Sequence, residues 1–361
     1  MPFEQGAERP TLWLRTSPEP YRTESIERAV SLLRGGGLVA FPTETVYGLG
    51  AVATNAEAVE GIFVAKERPH SDPLIVHIAD SSWLPQVTNH VDLLVRRLSE
   101  RFWPGPLTLI VPRSSNIPAL VSSGGDTVGV RVPAHEIASE LIRAVGSPLA
   151  APSANRFMHT SPTTAEHVLD DLGGRIDAIL DGGRCAVGVE STVLDVISDP
   201  PRILRLGGVT LEELRAVEPR VEGPSEMSAS RAVHVVASPG QMERHYAPHT
   251  PLIVFDAHGP DGIASVTRLA HAQLALGRRV GVIVPDDEAD ELLRLEVVVE
   301  RLGPSTDLRA ISRNLYAALR RMDSGGVDVI LAHTFGESGL AAALRDRLRR
   351  AAGGSFQSPS S

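Results

Sequence analysis

Apolar residues recur with helical and strand spacing along most of the chain. The first predicted helix places four apolar residues on one face: Ile26, Ala29, Val30 and Leu33. Three glycines at 35–37 end this helix, because glycine adopts the left-handed conformation that a helix stop requires. The apolar run at 38–41 predicts a short buried strand, and Pro42 closes it since proline cannot donate to a sheet ladder.

The same alternation of helices and strands continues to residue 206. Further helices are predicted near 56–65, 91–101, 136–144 and 164–172. Further strands are predicted at 74–78, 107–111, 128–132, 149–151, 178–180, 192–196 and 202–206. Mixed elements of this kind predict an α/β domain with a twisted sheet over residues 22–210.

A second, smaller α/β pattern follows a stretch without periodicity. Residues 219–230 are rich in Pro, Gly, Ser and Glu, which is typical of a linker, and we assign 211–250 to a linker. Beyond it, strands are predicted at 252–255, 280–284, 297–300 and 327–332, and helices at 263–276, 308–322 and 340–351. Strands alternating with helices predict a largely parallel sheet over 251–352.

Both ends of the chain differ from these patterns in composition. Residues 1–21 are expected to form a polar, proline-containing arm, and the Gly/Ser-rich residues 353–361 a disordered tail. The arm lacks the apolar core of a signal peptide, and no run of about 18 apolar residues predicts a membrane span. With a single cysteine, Cys185, the chain is expected to work in a reducing cytoplasm, with no membrane partner.

The charged residues of the chain include a single lysine. The chain of 361 residues has a formal net charge of −9, and of its 35 cationic residues only Lys66 is a lysine. Such an exception in an arginine-rich chain indicates a site that needs a compact ammonium group, although a surviving surface lysine is the alternative.

Four segments place polar residues at the ends of predicted strands, where open α/β sheets bind ligands. They are 42–49, 66–77, 126–133 and 150–163. Lys66 and Arg68 bracket one residue and predict an anion cradle, unless they only cap a solvated helix end. Arg131 interrupts an apolar strand and must face solvent or pair with an anion. His77 on its own is more typical of a half-buried structural histidine.

Together these segments resemble the threonylcarbamoyl-AMP synthase family, with its YrdC-like domain. The resemblance is carried by the residues at 41–50, 66–69, 103–108, 130–133, 151–155, 188–192, 238–240, 245–248 and 336–340. It implies a YrdC-like catalytic domain over 22–210 and a smaller Rossmann-like domain at the C-terminus. Three positions depart from the family pattern, namely Asp72, Leu206 and Gln241. P-loop, dinucleotide-fold and nucleophile-elbow motifs do not occur in the sequence.

The resemblance implies a nucleotidyltransferase that makes L-threonylcarbamoyl-AMP and pyrophosphate from L-threonine, bicarbonate and ATP. Its product would pass to a separate machinery that modifies tRNA, and Mg²⁺ would arrive with ATP rather than at a protein metal site. Substitution of Lys66 is expected to abolish product formation and leave the fold intact.

The resemblance also implies which residues form the site. Those implied for catalysis are Lys66, Arg68, Ser153 and Asn155. Those implied for threonine are Thr43, His77, Arg131, Ala151 and Ser191. Those implied for ATP are Lys66, Arg68, Asp72, Thr127, Ser153, Asn155, Ser161, Arg205 and Tyr246, with Tyr246 closing over the site from the linker.

Two other classes of function compete with this interpretation. An RNA-binding module is disfavoured because residues 22–210 carry 16 arginines and lysines against 21 carboxylates, so weak or no direct tRNA or RNA binding is expected. A carbamoyl transferase of the hydrogenase-maturation type would need zinc-finger cysteines, and the chain has a single cysteine.

Overall fold

The computed structural model describes residues 10–224, 245–292 and 294–358, and these form two sheets flanked by helices. The first part contains β1 (Leu12–Arg15), α1 (Tyr21–Arg34), β2 (Val39–Phe41), β3 (Gly48–Val52), α2 (Ala56–Lys66), β4 (Ile75–His77), α3 (Leu84–Val87), α4 (Leu93–Phe102), β5 (Leu107–Pro112), β6 (Thr127–Arg131), α5 (Glu136–Val145), β7 (Leu149–Ala150), α6 (Ala165–Leu172), β8 (Ala178–Asp181), β9 (Thr192–Asp195), β10 (Arg202–Arg205) and α7 (Leu211–Arg215). The second part contains β11 (Leu252–Phe255), α8 (Gly259–Ala275), β12 (Val280–Val284), β13 (Val297–Arg301), α9 (Leu308–Ser324), β14 (Val329–His333), α10 (Gly339–Ala352) and β15 (Phe356–Gln357).

The first sheet is large and mixed. Its ten strands lie in the order β1-β8-β2-β3-β7-β4-β6-β5-β9-β10. β4 and β6 are parallel, whereas β5 and β6 are antiparallel. One face packs against α1 and α5, and the other against α2, α4 and α6. The predicted mixed α/β domain is thereby confirmed.

The second sheet has five strands in the order β13-β12-β14-β11-β15, and its recorded pairings are parallel. Its core extends to residues of the first part, among them Val46 and Val189, and to Tyr246. The predicted parallel α/β domain is confirmed, and the two parts share a buried apolar contact.

Local interactions at the two ends of α2 explain where this helix begins and why it stops directly after the buried Lys66. Asn55 precedes the helix, and its side chain accepts hydrogen bonds from Glu57 N and Ala58 N. At the other end Glu67 adopts a left-handed φ of 56°, which stops the helix directly after Lys66. In α6, Thr164 is the N-cap, and its side chain accepts a hydrogen bond from His167 N.

Three expectations about the segments outside the two sheets need correction. The expected arm contains β1, which pairs in parallel with β8. The expected linker contains α7, capped by Thr210 and Glu213, with Leu214 in the first core. The expected tail contains β15, which pairs with β11. Composition failed here because edge strands are stabilised by partners distant in sequence. The departure at Gln241 and the motif at 238–240 lie outside the described residues.

Across the described ranges, every helix is too short or too polar to cross a membrane.

Candidate active site

A cavity opens where β4, β6, β9 and β10 of the first sheet meet the chain that enters the second part. Nine residues implied for the site line it: Thr43, Arg68, His77, Arg131, Ala151, Ser153, Ser191, Arg205 and Tyr246. Seven further residues complete its lining: Thr45, Val46, Gly48, Ile75, Pro152, Glu190 and His245. Residues from distant parts of the sequence therefore converge on one hollow.

Strand register places a histidine beside an arginine at one side of the cavity. His77 on β4 is the direct parallel partner of Arg131 on β6. Burial lowers the pKa of His77 to about 3, and the neighbouring Arg131 adds to the effect. At neutral pH the ring is therefore uncharged, and its Nδ1 has no hydrogen-bond partner among the described residues.

Arg131 is held in place by the segment that follows β2. Its Nη2 pairs with Glu44 Oε1 at 2.6 Å, and its Nη1 donates to Thr45 Oγ1 at 3.0 Å. Thr43 Oγ1 lies 2.8 Å from Thr45 Oγ1 and donates to Val46 O at 2.6 Å. Arg131 Nε is buried, and no described residue accepts a hydrogen bond from it. This side thus combines a fixed guanidinium with hydroxyls and a neutral imidazole.

Two more arginines, Arg68 and Arg205, line the cavity. Arg68 pairs with Asp72 at 3.0 Å and donates to the carbonyls of Asp72 and Pro73. Burial raises the pKa of Asp72, and Arg68 partly offsets this. Asp72 stands behind Arg68 and does not line the cavity.

Arg205 reaches the cavity from the end of β10. Its Nη2 donates to the carbonyl of Ser191 at 2.9 Å and to the hydroxyl of Ser191 at 3.1 Å. A Cβ on Gly207 would lie 2.3 Å from Glu190 O, so only glycine allows the Arg205 segment to pass this close to Ser191. Ser191 Oγ is also 2.7 Å from Thr108 Oγ1 on β5.

Lys66 lies beneath the cavity wall and not on its surface. Its side chain is fully buried, and Nζ donates to Ser153 O at 2.6 Å and to Asn155 O. Burial lowers the pKa of Lys66 well below its ordinary value, and Arg68 lowers it further. Asn155 Nδ2 donates to Arg156 O and His159 O. Lys66 and Asn155 therefore shape the loop that presents Ser153.

Two other implied residues also lie off the cavity surface. Ser161 donates to Glu190 Oε1 at 2.7 Å, so it contacts a lining residue. Thr127 begins β6, four residues before Arg131, which places it about 13 Å away at roughly 3.3 Å per strand residue. The structure does not bring Thr127 to the cavity.

Tyr246 covers the cavity and is held by the second part. Its ring stacks on Tyr316 of α9 at 5.8 Å between centroids, and the Arg347 guanidinium lies 4.9 Å from the ring centre. Its backbone carbonyl accepts from Thr160 Oγ1 at 3.1 Å. With 1% of its surface exposed, Tyr246 is buried among the residues that line the cavity, and its action as a lid stays a prediction.

Sequence reasoning assigned no role to Glu44, Glu190 or Arg347. Glu44 and Glu190 stand inside the motifs at 41–50 and 188–192, so their position was a usable signal. Arg347 is one of several arginines in α10, and its sequence neighbours do not distinguish it.

Comparison with known proteins agrees with this architecture. A family model described as "Telomere recombination" matches residues 31–207, and one described as "Threonylcarbamoyl-AMP synthase, C-terminal domain" matches residues 209–353. The threonylcarbamoyl-AMP synthase of Pyrococcus abyssi is 44% identical, over 91% of this chain and 94% of its own. The corresponding enzyme of Bacillus subtilis is 43% identical, over 91% of this chain and 93% of its own.

A solved structure shows the same similarity in three dimensions. The crystal structure of P. abyssi Sua5 complexed with L-threonine is 41% identical, covers 96% of this chain and 99% of its own, and has a TM-score of 0.88. Agreement in both sequence and fold extends over nearly the whole of each chain. The chain belongs to the threonylcarbamoyl-AMP synthase family.

Proposed function

We propose that the chain is an L-threonylcarbamoyladenylate synthase, which forms threonylcarbamoyl-AMP and pyrophosphate from L-threonine, bicarbonate and ATP. One observation carries the proposal: Arg68, Arg131 and Arg205 converge with a neutral His77 on one cavity, in a chain of this family. This set suits an amino acid and a triphosphate side by side, because guanidinium groups match carboxylate and phosphate geometry.

The threonine subsite of the proposal is the side formed by β4 and β6. The buried Nε of Arg131 and Nδ1 of His77 remain for a ligand. In the proposal Arg131 holds the threonine carboxylate, and the neutral His77 takes the side-chain hydroxyl. Thr43, Ser191 and Ala151 complete the subsite as its lining residues.

The nucleotide subsite of the proposal is the side formed by Arg68 and Arg205. These two cations contact the phosphates, and Ser153 and Tyr246 line the same space. Four implied residues act through neighbours, as positioning residues: Lys66, Asn155, Asp72 and Ser161. Thr127 receives no role, because it lies at the other end of β6.

The chemistry needs positioning more than covalent help from the protein. The threonine amine captures bicarbonate as a carbamate with loss of water, and the carbamate oxygen attacks the α-phosphorus of ATP, so that pyrophosphate leaves. Placing two bound reactants in contact and neutralising phosphate charge supply the rate. Mg²⁺ belongs to this scheme as part of the ATP substrate, coordinated mainly by phosphate and water.

The product is a mixed anhydride and fits hand-off to a separate enzyme that modifies tRNA. Direct RNA binding is not part of the proposal, because the net charge of −9 opposes contact with a phosphate backbone. A reducing cytoplasm is part of it, because Cys185 is a buried free thiol.

The test is pyrophosphate release by the full chain, with the adenylate product identified by mass spectrometry. We expect release only when ATP, L-threonine and bicarbonate are all present. Release that ignores threonine or bicarbonate would overturn the proposal, as would tight, steeply salt-dependent RNA binding without turnover.

A further inference from the structure

Arg347 is a cation of the second part that contacts the wall of the cavity in the first. It is fully buried on α10, and each of its three nitrogens has an acceptor. Nε donates to Glu190 Oε2 at 2.7 Å, Nη2 to Leu206 O at 2.6 Å, and Nη1 to Asp346 Oδ2 at 2.6 Å. Two of these acceptors, Glu190 and Leu206, belong to the segments that carry Ser191 and Arg205.

Glu190 is the carboxylate that lines the cavity. Its Oε1 accepts from Ser161 Oγ at 2.7 Å, and its Oε2 accepts from the Tyr316 hydroxyl at 3.0 Å. Burial alone would raise its pKa, but Arg347 and Arg205 lower it to about 2. Glu190 is therefore ionised at neutral pH, in a wall shared with Arg68 and Arg205.

Such a carboxylate opposes a triphosphate unless its charge is compensated. At the other arginines of the cavity the carboxylates, Glu44 and Asp72, stand behind the guanidinium and off the surface. Glu190 has the reverse arrangement, since Glu190 lines the cavity and its partner Arg347 does not. In the low dielectric of a buried wall, an uncompensated charge acts strongly on a bound anion.

The contact between the two parts is tight at this point. Gly188, two residues before Glu190, has φ +82°, and a Cβ there would lie 2.4 Å from Ser312 O of α9. Ser312 Oγ donates to Val187 O at 2.7 Å. The Glu190 segment is thus pressed against α9, so the geometry between Glu190 and Arg347 is held from both sides.

We propose that Arg347 is a positioning residue for ATP, which neutralises Glu190 from the second part and so leaves the nucleotide side of the cavity cationic. The proposal rests on the proposed function in that ATP is the anion bound there. It gives the second part a role in substrate affinity through charge, in addition to its contact with Tyr246.

Domain adhesion is the simpler explanation of the same ion pair, and it predicts a different result. If the pair only joins the two parts, losing either partner should weaken the binding of both substrates. If it sets the charge of the nucleotide side, losing Arg347 and losing Glu190 should change ATP affinity in opposite directions. The threonine side should change little, because Arg131 has its own partner in Glu44.

The experiment is calorimetric titration of the full chain with ATP and, separately, with L-threonine. For R347M we expect an ATP Kd at least tenfold weaker and a threonine Kd within threefold of wild type. For E190Q we expect ATP binding two- to fivefold tighter. The double variant E190Q/R347M should return to within threefold of wild type. R345M is the matched control, because Arg345 lies on the same helix and pairs with Asp256 away from the cavity.

Weaker ATP binding in both single variants would overturn the proposal, as would a double variant no better than R347M. If R347M does not fold, the direction of change in E190Q still decides. Failure of the proposed function would look different: wild type would bind ATP but release no pyrophosphate that depends on threonine and bicarbonate.

Discussion

The side of the cavity proposed for threonine and the side proposed for the nucleotide each have one buried arginine–glutamate pair, but a different member of the pair lines the cavity. On the threonine side the buried pair Arg131–Glu44 turns its arginine to the cavity, and both partners belong to the first sheet and its loops. On the nucleotide side the glutamate of the buried pair Glu190–Arg347 lines the cavity, and its arginine comes from α10. Under the proposed assignment the threonine side is formed within one part of the molecule, whereas the nucleotide side has contacts from both parts.

Removing the arginine of the threonine side should have the largest effect. R131M deletes the proposed carboxylate ligand and leaves Glu44 buried without its partner, which costs about 3–5 kcal/mol of stability. We expect turnover to fall about a thousandfold, or about 4 kcal/mol in the barrier. The threonine Kd should rise far more than the ATP Kd in calorimetric titration. R202M, at an exposed position on β10, is the control, and equal loss of both affinities would contradict the division into two sides.

Substituting Lys66 tests whether the loop that carries Ser153 must be held in place for the proposed nucleotide side to function. K66M removes the donor for Ser153 O and Asn155 O, and each buried carbonyl left unpaired costs about 1–3 kcal/mol. We expect about a hundredfold loss of turnover together with a lower midpoint of denaturant unfolding. The structure thus changes the expectation of an intact fold, and a K66M variant that loses turnover at full stability would favour direct phosphate contact instead.

Substituting Tyr246, which lines the proposed nucleotide side, should have a smaller effect. Y246A removes the ring that stacks on Tyr316 and lies beside Arg347, and we expect kcat/KM to fall about ten- to thirtyfold. Y246F should lose less than threefold, because the Tyr246 hydroxyl has no hydrogen-bond partner in the described protein. Equal losses in the two variants, measured by pyrophosphate release, would assign the role to the hydroxyl.

The pH dependence of folding stability reports how well water is excluded from the histidines on the two sides of the cavity. Here we expect the smallest effect. Burial lowers the pKa of both His77 and His245 to about 3, one histidine on each side. Because the unfolded chain binds these protons near pH 6.5, stability should fall as pH drops below 6.5. H245Q should reduce that slope by one proton, about 1.4 kcal/mol per pH unit, in unfolding titrations between pH 6.5 and 4.5. Substituting the exposed His90, H90Q, is the control, and an unaltered slope in H245Q would show that His245 is hydrated.

The sequence predicts the repeating elements and the loops that follow the strands. Apolar spacing is enough for α1 or β12, because their burial repeats along the chain. It misses β1 and β15, since each pairs at a sheet edge with a strand distant in sequence. It also places Lys66 on the phosphates, because residue type indicates charge but not which carbonyls the ammonium contacts.

The sequence also could not predict which arginines pair with Glu44 and Glu190. Arg131 stands out in the sequence because its strand neighbours are apolar. Arg347 is one of several arginines on α10. Only packing shows that Arg347 pairs with Glu190, whereas Arg345 pairs with Asp256. Motifs therefore identify residues that line the cavity better than those that support it from behind.

The distance of 157 positions between Glu190 and Arg347 has a consequence for synthesis on the ribosome. The first sheet leaves the exit tunnel long before α10 is translated, so the Arg131–Glu44 pair can form before Glu190 meets Arg347. Under the proposal each molecule gains its full affinity for ATP only with its final helix, and incomplete chains that end before α10 should bind the nucleotide more weakly.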